Sequence, residues 1–379
     1  MMKRPVQRRV DRLRADCEVT SHVLRAYRMI PQEERRSKLI TLEVARFVAA
    51  LCVVLHHLGG IGFQNEIGPR VMDAPGPAAV MFFFSLSGFV IYSAHWQDAG
   101  KPHRLPRYFW RRLWRIYPIY WLSLVPILPF FWDGCTRDYL AQIFSLIPTP
   151  QDFSEINPPA WTLRYELTFY VMFGLSLLPY LRRVLLPAWF GLIVWAWYGP
   201  PFGLSRPPEW MINRGGIEYH LFSLFNCWFF AGVAAGWLFV RYLPPPCWRW
   251  PLLGASAVFM AVMLWLDQDG YIFPPNPILP FNAMSFAAII YALAAVERSG
   301  QLRLNRRWAI LGAMSYPLYL LHYGVGSRFT VYFFHHPGAA HHFTDLSLFL
   351  TVVASSLLCT WLAAVVFDQP LQRLARRVM

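Results

Sequence analysis

The sequence predicts an all-α polytopic integral membrane protein with about ten transmembrane helices and both termini in the cytoplasm. Three observations carry that expectation. Charged residues make up 15% of the 379 positions and hydrophobic ones 56%, whereas a soluble globular domain carries about 25% charge. Apolar runs of about the length that crosses a bilayer, roughly 17–25 residues, recur along the chain. Lysine and arginine alternate between rich and poor segments in step with those runs. The same composition excludes intrinsic disorder. The six cysteines, at 17, 52, 135, 227, 247 and 359, have no CxxC or paired zinc spacing, so no disulfide scaffold is expected. The first 38 residues are basic and the first apolar run begins only at Leu39, which argues against a secretory signal peptide.

Ten runs qualify in order: 39–61, 77–94, 116–132, 161–180, 184–199, 219–240, 251–266, 278–296, 308–326 and 346–367. Segment 139–148 is too short to span and is expected at the membrane interface. No internal repeat or linker divides the chain. It therefore reads as one membrane domain, 39–372, between a basic N-terminal tail, 1–38, and a basic C-terminal tail, 373–379. Orientation comes from charge. The tails and the segments at 95–115, 181–183, 241–250 and 297–307 together hold 28 of the 35 Lys and Arg. The loops on the other side hold five, Arg70, Arg137, Arg206, Arg214 and Arg328, while Arg46 and Arg164 lie inside spans. Ten spans put every rich segment on one side, and the positive-inside rule makes that side cytoplasmic. The net charge of +14 is then a topology signal satisfied by anionic inner-leaflet lipids, and no nucleic-acid partner is expected. Within the N-terminal tail, Val10, Leu13, Val23, Leu24 and Tyr27 stand among arginines. An interfacial helix and a solvated tail both fit.

Ionisable groups inside a membrane are costly and therefore functional candidates. The first span carries Glu43, Arg46, His56 and His57. Glu43 and Arg46 are spaced to pair on one helix face. Arg46 and His57, eleven residues apart, also share a face, about 16 Å apart along the axis, while His56 points about 80° away. A polar channel through the bundle fits this face. So does a structural role, with His57 bonding a neighbouring helix and Arg46 neutralising Glu43. Ahead of the third span, Arg111, Arg112 and Arg115 sit at the cytoplasmic mouth, and Arg112 and Arg115 are spaced to hold a polyphosphate. Ordinary positive-inside charge would place them there as well. The fourth span opens with Arg164 and Glu166 near the outer level, where a carboxylate can orient the His57 imidazole or form an ion pair. The second span places Ser87 and Gly88 in mid-membrane, for helix packing or for substrate contact. His322, in SYPLYLLH, is a second candidate for the polar pore. The loop HHPGAAHH, with His335, His336, His341 and His342, has the look of a metal site but no carboxylate or cysteine at tight spacing beyond Asp345. No metal is expected.

Read together, these motifs resemble the acyltransferase-3 family of integral-membrane acyltransferases, and within it the exopolysaccharide-production O-acetyltransferases. The family's first-span pattern is a basic residue, ten residues, then His; here it is Arg46, FVAALCVVLH, His57, with Glu43 where the family usually has Asp. FFFSLSGFVIY resembles the second-span pattern. The cytoplasmic R-x-x-R is Arg112–Arg115, followed by Ile116 and Pro118. WTLRYELTFY resembles the fourth-span motif and keeps Trp161, Glu166, Phe169 and Tyr170. SYPLYLLH (315–322) and FDQP (367–370) match late motifs, with Asp368 where Glu is commoner. The resemblance runs from Leu39 to Leu371, and the family also has ten spans. Some relatives carry a further hydrolase-like domain, which is not expected here because nine residues follow Pro370.

The resemblance implies a multi-pass protein of the bacterial inner (plasma) membrane. It would move an acyl group from cytoplasmic acyl-CoA, acetyl-CoA foremost, to a hydroxyl of a cell-surface or lipid-linked carbohydrate. The donor is a substrate, and no tightly bound cofactor is implied. Arg112 and Arg115 would hold its phosphates, and Arg46 would contact it or keep the pore polar. His57 would act as base, with Glu166 tuning it. The alternative from another class is a proton-coupled transporter or flippase with Arg46, His57 and Glu166 along a proton or solute path. It lacks the paired Gly/Pro-interrupted spans that such folds show.

Overall fold

A computed structural model describes residues 39–62, 75–128, 136–148, 156–199, 203–205, 208, 211, 216–266, 278–335 and 345–378. The N-terminal tail and most of the HHPGAAHH loop lie outside the described residues. Among the described residues every regular element is a helix. In order they are α1 (Ile40–Gly62), α2 (Pro75–His95), α3 (Leu105–Leu124), α4 (Arg137–Ser145), α5 (Trp161–Ser176), α6 (Leu185–Tyr198), α7 (Gly216–Phe222), α8 (Phe225–Arg241), α9 (Pro246–Leu266), α10 (Leu279–Arg298), α11 (Ala309–His335), α12 (Asp345–Leu362) and α13 (Gln369–Val378).

Each of the ten apolar runs falls on a helix, but helix length supports fewer crossings. Five described segments are long and apolar enough to cross a bilayer: Ile40–Leu58, Gly76–Asp98, Pro246–Leu266, Leu279–Arg298 and Phe349–Val378. The pair α7 and α8, bent by 46°, makes a sixth if it is one span. Helices α5 and α6 have 16 and 14 residues. Helix α3 begins at Leu105, ahead of the apolar run, and so includes Arg107, Arg111, Arg112 and Arg115. The two arginines expected at a helix mouth therefore sit inside a helix.

Lipid offers no hydrophobic drive for helix association, so close backbone approach has to hold the bundle. It does so where α2 meets α8. A Cβ on Gly88 would strike the Phe229 carbonyl, and one on Gly232 the Ser85 carbonyl. Gly236 lies against Phe89, and Gly232 and Gly236 form a G-x-x-x-G pair on α8. Gly88 thus serves packing. Helices α1, α11 and α12 share an apolar core of Ala50, Val54, Leu58, Leu318 and Val352, with Phe47, Phe83 and Phe349 against it. Helix α1 starts on a carboxylate from the far end of α10. The Ile40 and Thr41 amides donate to Glu297 at 2.6 and 2.9 Å, satisfying orphan N-terminal donors and placing a negative charge at the positive end of the helix.

Helix α9 leaves Val258 and Val262 exposed between Trp248 near one end and Trp265 near the other. Those tryptophans are separated by about 26 Å of helix. Aromatic belts flanking a hydrocarbon layer of about 30 Å have that spacing. The last run of the chain is interrupted by a π-helical segment, Ala363–Asp368, after which α13 turns onto α3. Gln372 Nε2 donates to the Trp114 carbonyl at 2.8 Å and Trp110 Nε1 to the Ala375 carbonyl at 3.2 Å. The basic C-terminal segment is thus largely helical, with Arg373, Arg376 and Arg377 on its exposed side.

Candidate active site

Helices α1, α2, α3, α5 and α11 surround one cleft of about 740 Å³, its open mouth included. Its charged wall comes from three helices: Arg46 on α1, Arg112 and Arg115 on α3, and Glu166 on α5. Its apolar wall is Val80, Phe83, Phe84 and Val90 of α2, with Ser87 among them. Helix α11 closes it with Ser315, Tyr316 and Tyr319. Of the two second-span residues singled out in the sequence, Ser87 faces the cleft and Gly88 faces α8.

The fourth-span motif divides by helical face. Residues 161, 165 and 169, four apart, share one side. There Trp161 and Tyr165 pack with Phe225 at ring distances of 5.2 and 5.3 Å, and Phe169 stacks on Phe229 at 4.3 Å. Residues 162, 166 and 170 form the neighbouring side and all line the cleft. Tyr170 donates its hydroxyl to Glu166 Oε1. Thr162 Oγ1 lies 3.1 Å from the Pro159 carbonyl and 3.0 Å from Tyr319 Oη. With the Thr162 proton on the carbonyl, Tyr319 donates to Thr162.

The charges are closely interleaved. Arg46 Nη1 is 3.7 Å from Glu43 Oε2, the pair expected from their spacing. Arg46 and Arg115 both feel the fields of Glu43 and Glu166. Asp368, at the end of the π-helical segment, interacts electrostatically with both arginines. Neither Arg112 nor Arg115 is within ion-pair distance of a carboxylate among the described residues; the Arg112 guanidinium lies over the rings of Tyr170 and Tyr108, 5.2 and 5.8 Å from their centroids. Those rings are fixed in turn, since Tyr108 Oη donates to the Tyr170 carbonyl at 3.0 Å. The planar guanidinium fork stacks readily on aromatic faces while keeping its N–H groups at the edge.

His57 is not part of the charged wall. Its Nδ1 lies 2.9 Å from Nε2 of His322, with the rings stacked at 5.2 Å and 11°. The expected pairing of Glu166 with His57 is thereby corrected. Glu166 stands among arginines and Tyr170, and the group that contacts the His57 imidazole is another imidazole, from α11. The reason is helical register: residue 166 shares its face with 162 and 170, which look into the cleft. His56 goes elsewhere, its ring against Gly76 at the start of α2, as the helical-wheel argument anticipates. The cleft and the histidine pair are neighbours through Tyr319, a cleft residue whose ring centre is 6.4 Å from that of His322.

Sequence reasoning assigned no role to Tyr170, Tyr316, Tyr319 or Asp368. Tyr170 was findable, being four residues from Glu166. Tyr319 lies within one turn of His322 and Tyr316 within two, both in the SYPLYLLH motif. Asp368 was marked by the FDQP motif, but nothing local pointed to Arg46 and Arg115, which reach it only through tertiary packing.

Several bilayer-length apolar helices packed around an interior charged cleft define a membrane protein. Its family follows from comparison. The family model for the acyltransferase domain, acyltransferase-3, matches residues 39–365, and the chain belongs to that family of acyl-transferring enzymes. It is also similar to ORF330 of Acidianus two-tailed virus, described as a candidate acetyltransferase. The two are 28% identical over 206 residues, 52% of this chain and 56% of the viral protein. The chain thus matches little more than half the length of that relative. No solved structure matches.

Proposed function

We propose that this protein is a membrane-bound O-acyltransferase that moves a short acyl group, acetyl foremost, from acyl-CoA to a hydroxyl of a cell-surface or lipid-linked carbohydrate. The observation that carries the reading is the joining of two unlike sites within the family's domain. An arginine-walled cleft suits an anionic donor, and a neighbouring histidine pair has a ring nitrogen available for proton transfer. Arg112 and Arg115 take the phosphates of the donor, with charge-assisted, bidentate contacts as the strong component. Arg46 stays with Glu43 and keeps the cleft polar. The acyl end extends along the apolar α2 wall towards Tyr319 and the histidines.

In the transfer, the acceptor oxygen forms a bond to the acyl carbon as its proton passes to His57. The carbon–sulfur bond breaks, and the proton then goes to the departing thiolate. Every atom and proton is accounted for without a further reactant. Glu166 holds the arginines and Tyr170 in place and touches neither reacting atom.

The decisive experiment incubates membranes holding the full chain with radiolabelled acetyl-CoA and scores label in the glycan fraction, with mass spectrometry of surface glycans from cells with and without the protein. A missing acetyl mass increment in cells without it supports the reading; identical glycans together with no label transfer overturn it. The orientation is tested separately, on a cysteine-free background. A cysteine introduced within 335–342 should be labelled from outside and one within 1–38 should not, with reversed labelling overturning the cytoplasmic donor side.

The same residues fit a proton-coupled transporter less well. A transport path asks for a continuous run of titratable groups, whereas Phe83 and Tyr319, rings 5.6 Å apart, stand at the histidine end of the cleft.

A further inference from the structure

A histidine can act as a base only through the ring nitrogen that lacks a proton, and which nitrogen that is depends on what the other one touches. Around His57 the contacts leave one answer. His322 Nδ1 lies 2.9 Å from the Leu318 carbonyl, one turn back on the same helix. A carbonyl only accepts, so Nδ1 of His322 carries a proton. His322 is fully buried and no carboxylate contacts it among the described residues, so burial holds it neutral. Its Nε2 is then a bare lone pair. That lone pair faces His57 Nδ1 at 2.9 Å, so His57 Nδ1 must be the donor. A neutral His57 with its proton on Nδ1 has its lone pair on Nε2.

From this relay of fixed protons we propose that His322 is a positioning residue. It sets the tautomer of His57 and makes His57 Nε2 the atom that takes the acceptor's proton. The inference deepens, and rests on, the reading of His57 as the base of acyl transfer. Elsewhere a buried carboxylate does this work: in the Ser–His–Asp triad the Asp holds the imidazole in its tautomer and steadies the imidazolium that forms. Here a neutral imidazole, itself anchored by a backbone carbonyl, takes that place. When Nε2 of His57 gains a proton, the ring becomes an imidazolium whose Nδ1–H still points at a lone pair, so no second proton has to move. The arrangement also accounts for the near-parallel planes of the two rings, 11° apart with centres at 5.2 Å, since a shared in-plane bond and a fixed anchor leave His57 little freedom to turn.

The test uses the full-length chain in lipid nanodiscs. Histidine labelled with ¹⁵N reports which ring nitrogen carries the proton, and the His57 signals are identified by their loss in His57→Ala. The resting wild-type protein should show His57 protonated at Nδ1 and bare at Nε2; a proton on Nε2 overturns the proposal directly. In turnover, His322→Leu should lower kcat by about 10²-fold or more, against about 10⁴-fold for a wrong tautomer in the Ser–His–Asp triad. KM for the acyl-CoA donor should change by less than about twofold. His322→Gln, whose side-chain carbonyl accepts from Nδ1–H, should recover at least about tenfold of the loss. A purely structural histidine would give Leu and Gln variants that fail alike, and that outcome, or an unchanged kcat in His322→Leu, rejects the positioning role. Full activity in His57→Ala would instead reject the base reading, and the tautomer measurement on the resting protein keeps the two failures apart.

Discussion

The two ends of the candidate active site handle charge in opposite ways. At one end Arg46 and Arg115 stand in the field of three carboxylates, Glu43, Glu166 and Asp368, and Arg112 lies over two tyrosine rings. At the other, two imidazoles, His57 and His322, bond each other, with no carboxylate contacting His322 among the described residues. The difference teaches what each end can do. Guanidinium groups held in place by carboxylates and tyrosine rings are in position before an anion arrives, and their N–H groups make the strong charge-assisted contacts to phosphate. A neutral pair, kept so by burial, can take up a proton during the transfer step and pass it on without a standing charge to compensate. The arginines suit binding and the histidines suit proton transfer.

The sharpest way to break that contrast is at the histidine end. His57→Ala should lower acyl transfer by about 10²–10⁴-fold, the range for a lost general base, while His56→Ala keeps most activity. The two residues share depth and membrane environment and differ in direction: His57 faces His322, and His56 faces Gly76. In-membrane acetylation at matched expression decides it, and a dead His56→Ala beside an active His57→Ala would undo the assignment.

The next effect is expected at the arginine end, and there the structure separates two residues that the motif treats alike. Arg112 lies over two tyrosine rings, whereas Arg115 stands in the field of Glu166, Glu43 and Asp368. Hydrogen bonds to charged groups contribute about 1.5–3 kcal/mol. Arg112→Ala should therefore weaken acyl-CoA binding by about ten- to a hundredfold without loss of folded protein. Arg115→Ala should lose folded protein as well, because it leaves partly buried carboxylates uncompensated. Isothermal titration with coenzyme A thioester, alongside thermal unfolding, reads both quantities. Equal binding loss with equal stability would return the two residues to one undifferentiated cluster.

The smallest effect is expected for Glu166→Gln. The amide still accepts from Tyr170 but no longer compensates Arg46 and Arg115, so donor affinity should change by less than about tenfold and the proton-transfer step hardly at all. A fall in kcat as large as that of His57→Ala would mean that Glu166 reaches the reacting atoms, and the separation of the two ends would not hold.

Sequence alone determined the helical class, the positions of the apolar runs, the pairing of Glu43 with Arg46, and the opposite headings of His56 and His57. All of these follow from periodicity within one helix or from composition, and both are local. It also marked Glu166 and His322, because ionisable groups in apolar runs stand out, and Arg112 and Arg115, because their spacing ahead of a span suits a polyphosphate. Tertiary structure alone decided which of them meet. Glu166 went to the arginines rather than to His57, because α5 turns its 162–166–170 face into the cleft. His322 came to His57 from 265 residues away, through the packing of α1 against α11. Asp368 reached Arg46 and Arg115 only because the π-helical segment after α12 packs against α11 and α13 packs against α3. Periodicity specifies where a side chain points from its own helix axis. Which neighbour it finds there depends on close backbone contacts such as those of Gly88 and Gly232, between residues far apart in the chain.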